Sequence, residues 1–238
     1  GMLAASFNEM KKEIAVSEQM RKEIVANVSH ELRTPLTSII GFIKGILDGV
    51  IPVEDHEKYL SIVYNEANRL KELTKDIVDV AKLESGSISL HKEKFNLNEL
   101  TKEVYTEMEE LVKEKNLEFI LEELKNDISI YADKARIRQV LINIINNSIK
   151  FTEKGYIKLV LDEENDKACI SIEDTGSGIK EDKIAYLFDK FYTANDYGNA
   201  TNGAGLGLNI VKNIVDLHGG SIEILSTVGK GTRVNIKI

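Results

Sequence analysis

The sequence predicts an all-α helical hairpin that pairs with a second copy as a dimeric four-helix bundle, followed by an α+β two-layer sandwich of helices on a mixed sheet. Three observations carry this reading. Apolar residues recur at helical 3-4 spacing from Leu3 to Val80. The stretch Ser85-Gly86-Ser87 then breaks the pattern. Beyond it, helical and alternating segments follow one another to the C-terminus, as layers of helix on sheet require.

The first helix is drawn by Leu3, Phe7, Met10, Ile14, Ile24 and Val28, with Ser17 and Arg21 interrupting a coiled-coil-like seam. The stripe resumes through Leu32, Leu36, Ile39, Ile40, Ile43 and Leu47. Gly49, Pro52 and Asp55 then supply a turn and a new helix start. The second helix carries Tyr59, Val63, Leu70, Leu73, Ile77 and Val80. Two amphipathic helices alone bury too little, so homodimerisation through the hairpin is the physical expectation. The expected division is a linker end at residues 1–10, a hairpin at 11–85, a linker at 86–94 and a second domain at 95–238.

In the second domain, residues 97–115 and 134–149 read as helices, 117–121 and 128–131 as strands. Residues 156–161 and 168–173 flank Glu163-Glu164-Asn165-Asp166 as a hairpin. A short helix at 183–188, a longer one at 206–217, and strands at 221–225 and 233–238 complete the set.

Length and composition set bounds on what such a chain does. At 238 residues, with 42% hydrophobic and 29% charged residues, it is long enough for two domains and ordinary in its capacity to bury a core. A formal net charge of -8 argues against nucleic acid as a partner, since phosphate backbones are held by clustered Lys and Arg. The one cysteine, Cys169, lies in an alternating strand and reads as structural. No run approaches the ~20 apolar residues of a membrane helix, so this portion is expected to make no direct membrane contact.

The first chemical signal is Ser29-His30-Glu31-Leu32-Arg33-Thr34-Pro35, which lies inside the first helix. Proline there removes a backbone hydrogen bond, at a cost of about 3 kcal/mol or more, and loosens the turn that carries His30. A neutral imidazole is a nucleophile, and a carboxylate beside it can hold the other ring nitrogen's proton. A lone histidine on a kinked helix would read as a surface residue, but the whole string S-H-E-L-R-T-P-L-T, from Ser29 to Thr37, resembles the H-box of sensor histidine kinases without departure. That resemblance implies His30 as the phosphoacceptor and Glu31 as its acidic partner. Thr34, on the same helix face, matches the position linked to dephosphorylation of a response regulator.

The second signal is the helix of residues 134–149, where Asn143, Asn147 and Lys150 form one polar face opposite Ile137, Leu141, Ile144 and Ile145. Asparagine competes with the backbone inside helices, so its repetition calls for a reason beyond exposure. An amide oxygen can ligate magnesium, whose other ligands are phosphate oxygens and water. The string N-I-I-N-N-S-I-K-F-T resembles the family's N-box. By that likeness Asn147 is the magnesium ligand, Asn143 and Lys150 contact phosphates, and Phe151 borders the base.

Asp174-Thr175-Gly176-Ser177-Gly178-Ile179 ends a strand, and alone it would read equally as a simple turn. It resembles the first glycine box, which implies Asp174 as the reader of an adenine amino group, with Gly176, Gly178 and Ile179 against the base. Phe188 to Phe191 resembles the F-box, and Gly203-Ala204-Gly205-Leu206-Gly207-Leu208 the second glycine box, opening a helix whose start suits a phosphate. Thr232 completes the implied nucleotide contacts. Residues 192–202 lack apolar anchors and read as a lid over ATP.

The boxes run in family order from Asn27 to Thr232. The resemblance therefore implies a Bergerat-type ATPase domain behind a dimerising histidine phosphotransfer hairpin. The implied activity is ATP- and Mg2+-dependent autophosphorylation, then transfer to an aspartate of a response regulator receiver domain. One departure is Thr193, where many members carry a basic residue, and Lys190 and Lys150 are the candidates to replace it. The stretch from Leu3 to Met10 resembles the end of a HAMP linker, which implies a parent protein in the inner or plasma membrane with this portion cytoplasmic. A nucleotide-sensing scaffold and a topoisomerase- or chaperone-type ATPase are the rival readings, and neither requires His30, Glu31 and Pro35 at this spacing.

Overall fold

The computed structural model describes residues 2–84, 89–123, 127–165, 167–194 and 204–238, with the side chains of 2–6, 8–10, 12–24, 84 and 123 left aside. The chain divides into two compact units, Gly1–Val78 and Asp79–Ile238.

In the first unit, α1 (Met2–Leu47) runs unbroken through Pro35. Around the proline, the hydroxyls of Ser29, Thr34 and Thr37 donate to the carbonyls four residues back, at 2.7, 3.3 and 2.8 Å. The turn follows the expected chemistry: Gly49 adopts φ 69°, and a 3-10 turn, Val53–Asp55, leads into α2 (His56–Glu84). His56 Nε2 lies 3.1 Å from the Ile51 carbonyl and ties the turn, while the Phe42 and Tyr59 rings meet at 5.1 Å between the two helices. Apolar side chains remain exposed along both helices, among them Leu36, Ile40, Ile43, Leu60 and Tyr64, with Leu47 79% exposed. No described helix is long and apolar enough to cross a membrane.

The second unit is built from β1 (Glu93–Asn96), α3 (Leu97–Glu114), β2 (Glu118–Glu123), β3 (Ser129–Ala132), α4 (Lys134–Phe151), β4 (Tyr156–Glu164), β5 (Lys167–Asp174), α5 (Glu181–Ile184), α6 (Gly207–Leu217), β6 (Ser221–Thr227) and β7 (Gly231–Lys237). Five strands form a mixed sheet in the order β2-β4-β5-β7-β6, with β2 and β4 parallel and the other pairs antiparallel. Alternation along the strands turns Ile157, Leu159, Leu161, Ile170, Ile172, Val234 and Ile236 inward. They bury with Leu97, Leu100 and Val104 of α3, Ile137, Leu141, Ile144 and Ile145 of α4, and Ile210, Val211 and Ile214 of α6. The opposite face is polar, with Glu173 accepting from the Tyr156 hydroxyl and from Arg233.

Two elements differ from the sequence reading. A separate two-stranded antiparallel sheet joins β1 to β3, and β1 begins inside the stretch expected to be linker. Its four residues, Glu93 to Asn96, carry a single apolar side chain, so no alternation marks them. The short helix lies at Glu181–Ile184 and gives way to turns where helix was expected to continue to residue 188.

Asp133 begins α4 and organises its surroundings. Its Oδ1 accepts from the Arg136 N–H at 3.1 Å as an N-cap, and its Oδ2 accepts from the His91 N–H at 3.0 Å. Its own N–H donates to His218 Nε2 at 3.0 Å, while His218 Nδ1 lies 2.8 Å from the Ile214 carbonyl at the end of α6. This geometry selects the tautomer with the proton on Nδ1. Replacing His218 by phenylalanine would keep the ring and leave the Asp133 N–H unpaired. The expected cost is about 1–3 kcal/mol, read as a lower urea midpoint with an unchanged slope.

Candidate active site

The helical unit presents His30 on an open face of α1, with its side chain 77% exposed. Its Nδ1 lies 4.0 Å from Glu31 Oε1, which is proximity and not the hydrogen bond that the sequence reading anticipated. From α2, Arg69 places Nη2 3.7 Å from Glu31 Oε2 and Nη1 3.6 Å from Glu66 Oε2. The carboxylate thus lies near both the imidazole and a guanidinium. Arg69 escaped the sequence reading because only the packing of two helices brings it to Glu31. Thr34 directs its hydroxyl to the His30 carbonyl.

In the second unit, the alternation of β5 places Asp174 on the buried side at the strand's end, only 7% exposed. Its Oδ1 accepts two backbone N–H groups, from Gly176 at 2.9 Å and Thr232 at 3.2 Å, and its Oδ2 accepts the Ser148 hydroxyl at 3.1 Å. Burial pushes its proton affinity above the ordinary carboxylate value, and the three donors oppose that rise.

Gly176 and Gly178 hold the loop after Asp174 between α4 and the β6–β7 turn. A Cβ on Gly176 would stand 2.5 Å from the Phe151 carbonyl oxygen. One on Gly178, at φ 66°, would stand 2.0 Å from the Thr227 carbonyl oxygen. The loop is pinned by Ser177 N–H to the Phe151 carbonyl at 3.1 Å, and by Ile179 N–H to Ser226 Oγ at 2.9 Å. Ser226 and Thr232 share a hydroxyl contact at 2.8 Å. A cavity of about 460 Å³ at this end of the sheet is lined by Asp174, Ile184, Ser226, Thr227, Lys230 and Thr232, among others.

On α4, Asn143, Asn147 and Lys150 are half-buried, as one polar face at a domain edge would be. Asn143 Nδ2 donates to the Gly207 carbonyl at 3.4 Å, joining this face to the start of α6. Lys150 Nζ lies over the Phe151 ring, 4.7 Å from its centre. Thr152 is buried with no partner for its hydroxyl among the described residues. No group of three or more His, Cys, Asp and Glu among the described residues could hold a metal. The asparagine face instead offers hard amide oxygens, which suits a cation that draws its remaining ligands from phosphate and water.

The segments 188–191 and 204–208 meet where Phe191 N–H donates to the Gly205 carbonyl at 3.0 Å. Both residues have left-handed backbones, φ 60° and 66°, and a Cβ on Gly205 would stand 2.6 Å from the Tyr192 carbonyl oxygen. Leu206 is a core residue, 1% exposed, while Gly207 and Leu208 are half-buried at the start of α6. Among the described residues no side chain caps that start, whose amides suit an anion. Burial lowers the proton affinity of Lys190. Lys183 Nζ donates to the Ala194 carbonyl at 2.8 Å. Gly203 and most of the expected lid lie outside the described residues.

Two family models match the chain. The His Kinase A (phospho-acceptor) domain matches residues 20–86, and the histidine kinase-, DNA gyrase B- and HSP90-like ATPase matches residues 132–238. Sensor histidine kinase YclK of Bacillus subtilis (strain 168) is 36% identical over all of this chain, which spans 52% of that relative's length. The catalytic domain of histidine kinase ThkA is 36% identical at a TM-score of 0.56, with 63% of this chain covering 97% of that domain. ThkA in complex with response regulator protein TrrA gives a TM-score of 0.74 at 34% identity, over 91% of this chain and 60% of that one. Full-length ShkA in complex with AMPPNP gives 0.68 at 28% identity, over 90% of this chain and 45% of that one.

Proposed function

Because the chain belongs to the sensor histidine kinase family, we propose that it binds ATP at Asp174 and transfers the γ-phosphoryl group to His30. The observation that carries this reading is the Asp174 carboxylate: Oδ1 is occupied by two backbone donors, while Oδ2 holds one hydroxyl and keeps a lone pair for an exocyclic amine. The glycines beside it leave room for a flat base. The start of α6, with no side-chain cap among the described residues, and the Asn143, Asn147 and Lys150 face would receive the phosphates. Magnesium held at Asn147 would neutralise phosphate charge during transfer.

In the reaction, His30 Nε2 attacks the γ-phosphorus in line, the bond to the bridging oxygen breaks, and ADP leaves with that electron pair. Glu31, near Nδ1, stabilises the positive charge that the ring acquires and can receive its proton. The phosphoryl group then passes to an aspartate carboxylate of a response regulator receiver domain, and Thr34 would orient the water that hydrolyses that aspartyl phosphate to inorganic phosphate. The exposed apolar residues Leu36, Ile40, Ile43 and Leu47 of α1, with Leu60 and Tyr64 of α2, support a homodimer through the hairpin. The sensor-kinase relatives and the HAMP-like start support a membrane-anchored parent protein with this portion cytoplasmic.

The test is incubation with γ-labelled ATP and Mg2+. Label that is lost in acid, kept in alkali, prevented by EDTA and chased onto a receiver domain is the expected result. ATP binding with no labelling at any magnesium concentration would overturn the kinase reading.

A further inference from the structure

Ser148 lies on α4 one position after Asn147 and is 4% exposed. A buried helical serine commonly returns its hydroxyl to the carbonyl four residues back. Here the hydroxyl crosses to a side chain 26 positions away, Asp174 Oδ2, at 3.1 Å. It is the only side-chain donor on this carboxylate among the described residues, the other two being the fixed backbone groups of Gly176 and Thr232 on Oδ1. Ser148 therefore controls the one oxygen still able to face a ligand.

We propose that Ser148 is a positioning residue that keeps Asp174 Oδ2 an acceptor, and thereby sets the preference of the site for a 6-amino over a 6-oxo purine. This rests on the reading of the Asp174 pocket as a nucleotide site. An ionised carboxylate accepts from a 6-amino group and repels a 6-oxo group, whereas a protonated one can donate to the 6-oxo oxygen. Burial favours the protonated form of Asp174, and the Ser148 hydroxyl is among the groups that oppose it. The choice between the two purines is thus coupled to a proton that Ser148 helps to exclude.

The other ionisable groups around Asp174 leave Ser148 this role. Glu173, its neighbour in β5, disfavours the ionised form, but its carboxylate faces the opposite side of the sheet and is taken up by Arg233 and Tyr156. Glu181 of α5 and Lys230 of the β6–β7 turn line the same cavity as Asp174, and so do Glu173 and Arg233, paired with each other. Lys150 on α4 lies over Phe151. Among the described residues, none of them makes a hydrogen bond to Asp174.

The experiment compares the chain with its Ser148→Ala and Ser148→Thr variants, measuring ATP and inosine triphosphate binding by calorimetry from pH 5 to 8. In Ser148→Ala, ATP affinity is expected to fall about tenfold more at the acid end than at neutral pH, with the ATP-to-inosine triphosphate preference narrowing about tenfold. Ser148→Thr, which keeps the hydroxyl, should restore the wild-type pH profile. A uniform loss across pH in Ser148→Ala, or an unchanged profile, would overturn the proposal. Absence of ATP binding in the wild type would instead overturn the nucleotide-site reading itself. Circular dichroism melts of each variant separate misfolding from either outcome.

Discussion

Replacing His30 by glutamine is expected to abolish the acid-labile phosphate entirely, while ATP affinity stays within about twofold of wild type. Glutamine approximates the length and hydrogen-bonding capacity of the imidazole but offers no nucleophilic nitrogen. At 77% exposure His30 buries nothing whose loss would unfold the helix. Stability should therefore change by no more than about 0.5 kcal/mol. The Thr34 hydroxyl keeps its acceptor, because that acceptor is the backbone carbonyl of residue 30. Labelling with γ-labelled ATP and a binding titration on the same preparation check both parts. Residual acid-labile label in the variant would move the phosphoacceptor away from His30.

The helical hairpin and most of the α+β unit were legible because each rests on a local period. The 3-4 stripe of α1 and α2 and the alternation of β4 and β5 are properties of consecutive residues. Strand β1 was not legible, since Glu93 to Asn96 is a strand only by virtue of its partner β3. The site divides in the same way. Asp174, Gly176, Gly178 and Asn143 lie in contiguous strings, so their positions could be read in order. The partners that tune them come from elsewhere in the chain: Arg69 reaches Glu31 from another helix, and the backbone of Thr232 reaches Asp174 across the sheet. Ser148 was inside a quoted string yet went unremarked, because a helical serine declares its acceptor only once strand and helix have packed.

Asp174→Asn is expected to weaken ATP binding about 100-fold while leaving the fold intact or more stable, and both halves follow from the same three hydrogen bonds. The asparagine Oδ1 can accept from the Gly176 and Thr232 N–H groups as the carboxylate does. Its Nδ2 then occupies the place of Oδ2, where Ser148 can rotate to accept but a 6-amino group would meet donor against donor. Stability moves the other way. Burial holds Asp174 above its ordinary proton affinity, so the folded state binds this proton more tightly than the unfolded chain does. The stability associated with that proton is present at acid pH and is lost as pH rises through the folded-state transition. Neutral asparagine has no such loss. The variant should equal or exceed wild type in urea melts at pH 7, and its advantage should shrink on acidification toward the unfolded carboxylate value of about 3.9. A variant less stable than wild type at pH 7, with ATP binding lost only in proportion to unfolding, would make Asp174 a structural carboxylate and remove the base reader from the site.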